Sequence, residues 1–266
     1  MLNFRHSSVV HIGLFGLFGL LALAADAQTT TPKDTRKSGF EFMGPSTQAM
    51  QKDDTLNPGM LSVKDGEALW LKPAGQSNKA CITCHGAAER SMKGVAARYP
   101  AFDDVLKRPI GLSQRINQCR VQHQQATPLR AESADLVALE SYVALQSRGL
   151  PVSPPNDPRL LPFKQAGEQR FMQRMGQLDL SCAQCHDANA GNKLGSSIIP
   201  QAHPTGYPVY RLEWQSMGSL QRRLRNCMNG VRAEPFAYSA PELIELELYL
   251  AARAKGMLGE TPGVRP

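Results

Sequence analysis

Cys81-Ile82-Thr83-Cys84-His85 recurs 101 residues later as Cys182-Ala183-Gln184-Cys185-His186. C-x-x-C-H is the attachment sequence for a c-type haem. Two thiols three positions apart can each add to one vinyl group of a single haem. The adjacent His is then held beneath the iron as its proximal ligand. A zinc ribbon would bring its two cysteine pairs within about 15–20 residues of each other; here they are far more widely separated. A thioredoxin-type dithiol would not need the His in both copies. The sequence therefore predicts two covalently bound haem c groups. Cys81 and Cys84 carry one, Cys182 and Cys185 the other, with His85 and His186 as axial ligands.

The repeat extends beyond these motifs. At the same offset of 101, Gly66, Glu67 and Trp70 pair with Gly167, Glu168 and Phe171. In the first copy they fall in a helix expected to begin at Leu61, with Ser62 as its N-cap. A glycine on such a helix lets another helix cross closely. The loop after the haem motif is seven residues longer in the second copy. Tyr99-Pro100 and Tyr207-Pro208 then align 108 residues apart, as do Arg115 with Arg223 and Cys119 with Cys227. Each copy ends in a segment with apolar residues at helical spacing, Leu136 to Gly149 and Leu243 to Gly256, now 107 apart. Gly149 and Gly256 fit the C′ position. Tyr142 and Tyr249 match, as an aromatic beside a haem or in the core would.

The fold class that follows is all-α: two tandem cytochrome c-like haem domains from an internal duplication, with an irregular N-terminal extension. Residues 61–149 form the first domain and 161–266 the second. Residues 150–160 are a linker whose prolines favour extended chain. Residues 28–60 are rich in Thr, Lys, Asp, Gln and Pro, and are expected to wrap over a domain or bind a partner rather than build the core. Residues 1–27 resemble a secretory signal: Arg5 near the start, an apolar run from Val9 to Ala24, and Ala25-Asp26-Ala27 as the cleavage site. The apolar run is short for a membrane span, and no later segment is long or apolar enough for one. Export to the periplasm suits covalent haem attachment. The formal net charge is +7, and the leader's one Arg and one Asp cancel. The basic residues are scattered apart from one cluster, which points to an anionic small substrate or acidic partner protein rather than nucleic acid.

Each iron has a second axial position. The candidates are Cys119, His123 and Met92 in the first domain, and Cys227, Met228, Met217 and His203 in the second. Only cysteine is offered at one repeat position in both copies, so Cys119 and Cys227 are preferred over a disulfide joining them. Thiolate donates density to iron and should lower the reduction potential, which suits a simple electron relay poorly. Around Cys227 the chain reads Arg222-Arg-Leu-Arg-Asn-Cys-Met-Asn-Gly-Val-Arg232, with no acid before Glu234. Cationic neighbours keep a thiol ionised, and arginine pairs with oxyanions in a bidentate way. In a helix, Arg223 lies one turn before Cys227 on the same face.

Two C-x-x-C-H domains, each followed by Arg-x-x-x-Cys, and the run R-N-C-M-N-G-V-R resemble the SoxA family over about residues 40–256. This family supplies the dihaem c-type cytochrome subunit of the thiosulfate-oxidising Sox system. The resemblance implies a periplasmic L-cysteine S-thiosulfotransferase with a small haem c subunit, SoxX, as heterodimer partner. It would couple thiosulfate oxidatively to a cysteine of the carrier SoxYZ and pass two electrons to cytochrome c. It further implies that Cys227 is the persulfide-bearing catalytic residue, that Arg223 contacts substrate, and that His85, Cys119, His186 and Cys227 are the axial ligands. The competing expectation is a dihaem electron-transfer cytochrome that does no sulfur chemistry.

Overall fold

Two helix crossings, one in each repeat, position both haem motifs. The computed structural model describes residues 1–4, 6, 8 and 34–266. Arg36–Pro266 form one compact unit and Met1–Thr35 another. The leader expected over residues 1–27 lies outside the described residues but for residues 1–4, 6 and 8.

A short helix, α1 (Pro45–Lys52), precedes the repeats. The first repeat runs α2 (Gly59–Leu71), α3 (Cys81–His85), α4 (Ala88–Ser91), strands β1 (Ala101–Asp103) and β2 (Arg108–Ile110), α5 (Leu112–Cys119) and α6 (Ala134–Leu145). The second runs α7 (Leu161–Met172), α8 (Cys182–His186), β3 (Lys193–Leu194), β4 (Ser197–Ile198), β5 (Val209–Arg211), β6 (Ser216–Gly218), α9 (Leu220–Gly230) and α10 (Pro241–Arg253). Strand β7 (Gly263–Arg265) closes the chain.

A β-carbon on Gly66 would lie 2.1 Å from the Ala138 carbonyl oxygen, and one on Gly167 2.0 Å from that of Glu245. Only glycine lets α2 lie against α6, and α7 against α10, at this range. Around each crossing sits a core. Val63, Trp70, Leu112, Tyr142 and Val143 are buried together in the first repeat. Phe171, Met228, Leu243, Leu246 and Leu250 are buried together in the second. The repeat-equivalent aromatics stay in contact: Trp70 and Tyr142 meet edge-on at 6.0 Å, and Phe171 and Tyr249 lie tilted at 5.4 Å.

The duplication persists in backbone detail. Gly75 and Gly176 both have left-handed φ, and a β-carbon on either would stand about 2 Å from a carbonyl, that of Gln124 or Val231. Both conditions call for glycine. Two antiparallel hairpins correspond, β1–β2 and β5–β6, with left-handed Lys107 and Gln215 at matching turn positions. The second hairpin gains β7, parallel to β5, giving the order β6-β5-β7. The change of repeat offset from 108 to 107 also has a structural cause. After Cys119 the helix loosens into a π-helical turn, Arg120–Gln124. Ala126 N–H reaches back to Arg120 O. The matching bond in the second repeat, Ala233 N–H to Met228 O, encloses one residue fewer. The π turn absorbs the extra residue of the first copy.

Several boundaries differ from those expected. α2 begins at Gly59, so Ser62 lies inside it and is not the N-cap. Asn57, buried before it, accepts the Gly59 N–H at 2.9 Å and donates to Pro262 O. α6 and α10 end before their glycines, so Gly149 and Gly256 lie beyond the C′ position. Both are left-handed, and both tie the repeat ends together: Gly149 N–H donates to Gly259 O, and Gly256 N–H to Val152 O. The linker is extended, with Val152 N–H bonded to Met257 O and Ser153 N–H to Ala97 O. The N-terminal extension is more regular than its composition suggests. Met43 and Thr47 are buried, α1 rests on β7, and Arg36 donates to the Arg253 and Lys255 carbonyls.

Candidate functional site

In each repeat the haem motif forms a single short helix across the pocket from the helix that carries the repeat-equivalent cysteine. Ser181 caps α8 by accepting the Gln184 N–H at 3.2 Å, while Gln184 accepts the Ser181 N–H at 2.8 Å. This reciprocal pair fixes the first turn of C-x-x-C-H. In α3, Thr83 Oγ1 accepts from the Ala80 N–H at 3.2 Å. No two of the six cysteines are joined in a disulfide, so Cys119 and Cys227 are not bonded to each other.

The first repeat holds a cleft of about 1020 Å³ that takes in Cys81, Cys84, His85, Cys119, Trp70, Met92, Arg115 and His123. Trp70 fixes one wall. Its Nε1 donates to Gly86 O at 3.1 Å, and its ring lies 5.6 Å from that of His85. All three candidates for the second axial position, Cys119, His123 and Met92, line this cleft. Burial raises the Cys119 thiol above its ordinary value, against the lowering charge of Arg115.

The second repeat holds a cavity of about 950 Å³ lined by His186, Cys227, Arg223, Arg211, Tyr207, His203 and Pro200 among others. The His186 Nδ1 is 2.7 Å from Pro200 O. A proton on Nδ1 donated to that carbonyl leaves Nε2 as the ligating nitrogen, the arrangement that orients metal-bound histidines. Cys227 faces His186. Burial would raise its thiol pKa, but the neighbouring His186 side chain and the charges of Arg223 and Arg211 outweigh that and hold it below the ordinary value. Met228 is buried in the core under Phe171, and Met217 is absent from the cavity lining. Of the four ligand candidates in this repeat, Cys227 and His203 remain at the cavity. His203 Nδ1 is engaged 2.8 Å from Lys37 O.

The basic cluster around Cys227 divides by role. Arg223 lines the cavity. Arg222 turns away, stacking over Trp214 at 4.1 Å and donating to Ser216 Oγ at 3.1 Å. Arg225 donates to the Phe236 carbonyl and stacks on Tyr238 at 4.5 Å. Of the three arginines before Cys227, one thus faces the site and the two beside it hold neighbouring chain. Arg211, Tyr207 and Pro200 were not singled out as site residues in the sequence. They come from the hairpin and the loop of the longer second copy, where no periodic pattern marks them.

The residues present fit a haem at each motif. In the first repeat two thiols and an imidazole on one helical turn share a cleft with a further sulfur; in the second the imidazole and the further sulfur line the cavity, and the two thiols stand on the same short helix as that imidazole. Together these make the donor set of a c-type centre. Among the described residues, no group of three or more His, Cys, Asp or Glu is placed to hold a bare metal ion. No described helix is long and apolar enough to cross a membrane.

Comparison with known proteins agrees with this architecture. The family model described as SoxA/TsdA, cytochrome c domain, matches residues 65–152 and again 166–258. The L-cysteine S-thiosulfotransferase subunit SoxA of Pseudaminobacter salicylatoxidans is 38% identical over 236 residues, covering 88% of this chain and 82% of that protein. The subunit of the same name from Rhodovulum sulfidophilum is 36% identical over 232 residues, covering 87% and 81%. The crystal structure of SoxXA from P. pantotrophus superposes with a TM-score of 0.84 at 32% identity, covering 87% of each chain. Two matched haem repeats, and relatives aligned across the linker as well as the repeats, lead to one conclusion: this chain belongs to the SoxA family of c-type cytochromes.

Proposed function

We propose that the chain is the dihaem subunit of a periplasmic L-cysteine S-thiosulfotransferase, exported by the leader at residues 1–27 and paired with a small SoxX-type haem subunit. Cys81 and Cys84, and Cys182 and Cys185, hold the two haems by thioether bonds. His85 with Cys119, and His186 with Cys227, would hold the two irons. Residues 61–149 and 161–266 are the two haem domains. Each haem, when bound, takes up one electron at a time.

The observation that carries this proposal is the shared cavity of Cys227, His186 and Arg223. Thiosulfate is a dianion, and an anion beside a thiolate is repelled unless cations compensate. Arg223 offers paired N–H donors to the sulfonate. The outer sulfur of thiosulfate joins the Cys227 sulfur, or a persulfide sulfur it carries. One S–S bond forms and two electrons leave, one to each of two acceptor cytochrome c molecules. A cysteine thiolate of the carrier SoxYZ then attacks the outer thiosulfate sulfur. The new S–S bond replaces the old, and Cys227 regains its electron pair as leaving thiolate.

The test is thiosulfate-dependent cytochrome c reduction by the holoprotein with its haem partner and carrier. Arg223→Ala should keep both haems and lose roughly a hundredfold in rate, the scale for removing one oxyanion donor. Unchanged turnover would remove Arg223 from the site.

A further inference from the structure

Asp103 and Arg211 hold one position in the two repeats. Each ends the first strand of its hairpin, and they are 108 residues apart, the offset that relates Arg115 to Arg223. Their charges are opposite.

In the first repeat Asp103 is buried, with its side chain only 4% exposed. Its carboxylate accepts from Arg115 Nη2 at 3.0 Å, from Gln118 Nε2 at 3.1 Å and from the N–H groups of Val105 and Leu106. The arginine one turn before Cys119 is therefore already neutralised.

In the second repeat the equivalent side chain is a guanidinium that lines the same cavity as Arg223, Tyr207 and Cys227. Arg211 is 12% exposed, and its one ion pair is to Glu213, whose side chain is 59% exposed, at 3.0 Å. Its Nε is buried with no hydrogen-bond partner. Among the described residues no ion pair is formed by Arg223, while the third arginine of the cavity, Arg265, is bound to Glu260 at 2.9 Å. Two poorly compensated guanidiniums in one partly enclosed cavity repel each other unless an anion sits between them.

We propose that Arg211 is a second anion-binding residue, which with Arg223 clamps the sulfonate of thiosulfate beside Cys227. The reversal of charge between positions 103 and 211 then makes the second repeat, and not the first, the sulfur site. The identity of the anion rests on the function proposed above; the anion site itself does not.

The test uses the haem-loaded complex with its small partner. Thiosulfate and sulfate are titrated against the haem absorption and paramagnetic resonance signals, in wild type and in Arg211→Gln, Arg211→Lys and Arg211→Asp. A lost charge-assisted hydrogen bond should weaken thiosulfate binding about tenfold or more in Arg211→Gln. Arg211→Asp, which reproduces the pairing of the first repeat, should weaken it further, and Arg211→Lys should retain part. The resting absorption and paramagnetic resonance signals should keep their wild-type form. An unchanged thiosulfate Kd in Arg211→Gln overturns the proposal. Binding of neither dianion by wild type also overturns it. If wild type binds both dianions in an Arg211-dependent way yet shows no thiosulfate-dependent electron flow, the anion site stands and the sulfur-coupling function falls.

Discussion

Glu140 on α6 and Glu247 on α10 hold the same position in their repeats, 107 residues apart, and line one internal cavity. Burial pushes the Glu140 carboxyl up to about 8, with Glu247 and Glu132 adding repulsion. Burial pushes Glu247 up to about 7, opposed by a hydrogen bond from Gln221.

A carboxyl with a raised folded-state pKa binds its proton more tightly when folded than when unfolded. Its contribution is therefore full below the unfolded value near 4.5 and is lost as pH rises through about 7 to 8. Glu140→Gln, which keeps the shape and removes the titration, should stabilise the haem-loaded protein at pH 8.5 by on the order of 2 kcal/mol and have little effect at pH 4.5. Denaturant midpoints at the two pH values check this. A stabilisation equal at both would show that the Glu140 carboxyl is not raised in the folded state.

Gly66→Ala and Gly167→Ala should each cost about 3 kcal/mol or more, because the added methyl would overlap a carbonyl oxygen of the crossing helix. Thermal unfolding of each variant measures the cost. Gly86→Ala is a useful contrast: its φ of +68° carries strain, but no atom lies within 4 Å of the new methyl, so its loss should be smaller.

The parts of this molecule that were legible in the sequence are those tied to a fixed chemical spacing. C-x-x-C-H declares itself because two thioethers and one imidazole must meet one haem. Gly66 and Gly167 are legible because a helix crossing tolerates nothing larger. The hairpins were not, because strands of three residues are too short to show a period of two. The start of α2 was misplaced because the helix begins three residues before Ser62, at Gly59, whose N–H is taken by Asn57 from the far side of a proline. Asp103 and Arg211 escaped notice because a difference between repeats carries no alignment signal. Their meaning appears only when the hairpin is folded over α5 or α9.

Two complete motifs predict two haems per chain by pyridine haemochrome assay, and a Cys81→Ala, Cys84→Ala double variant should hold one. Cys119→Met should alter the spectrum of one haem only, since Cys119 and Cys227 line separate cavities. If His123→Ala perturbs that haem while Cys119→Ser does not, His123 is the ligand in the first repeat.

The central claim is that sulfur chemistry takes place at Cys227, and one comparison tests it most directly. Thiosulfate-dependent reduction of cytochrome c, with the haem partner and sulfur carrier present, is measured for Cys227→Ala and Cys119→Ala after haem loading is confirmed in each. Cys227→Ala should lose nearly all turnover and Cys119→Ala clearly less. Near wild-type turnover by Cys227→Ala would contradict the account and leave the protein as a dihaem electron carrier.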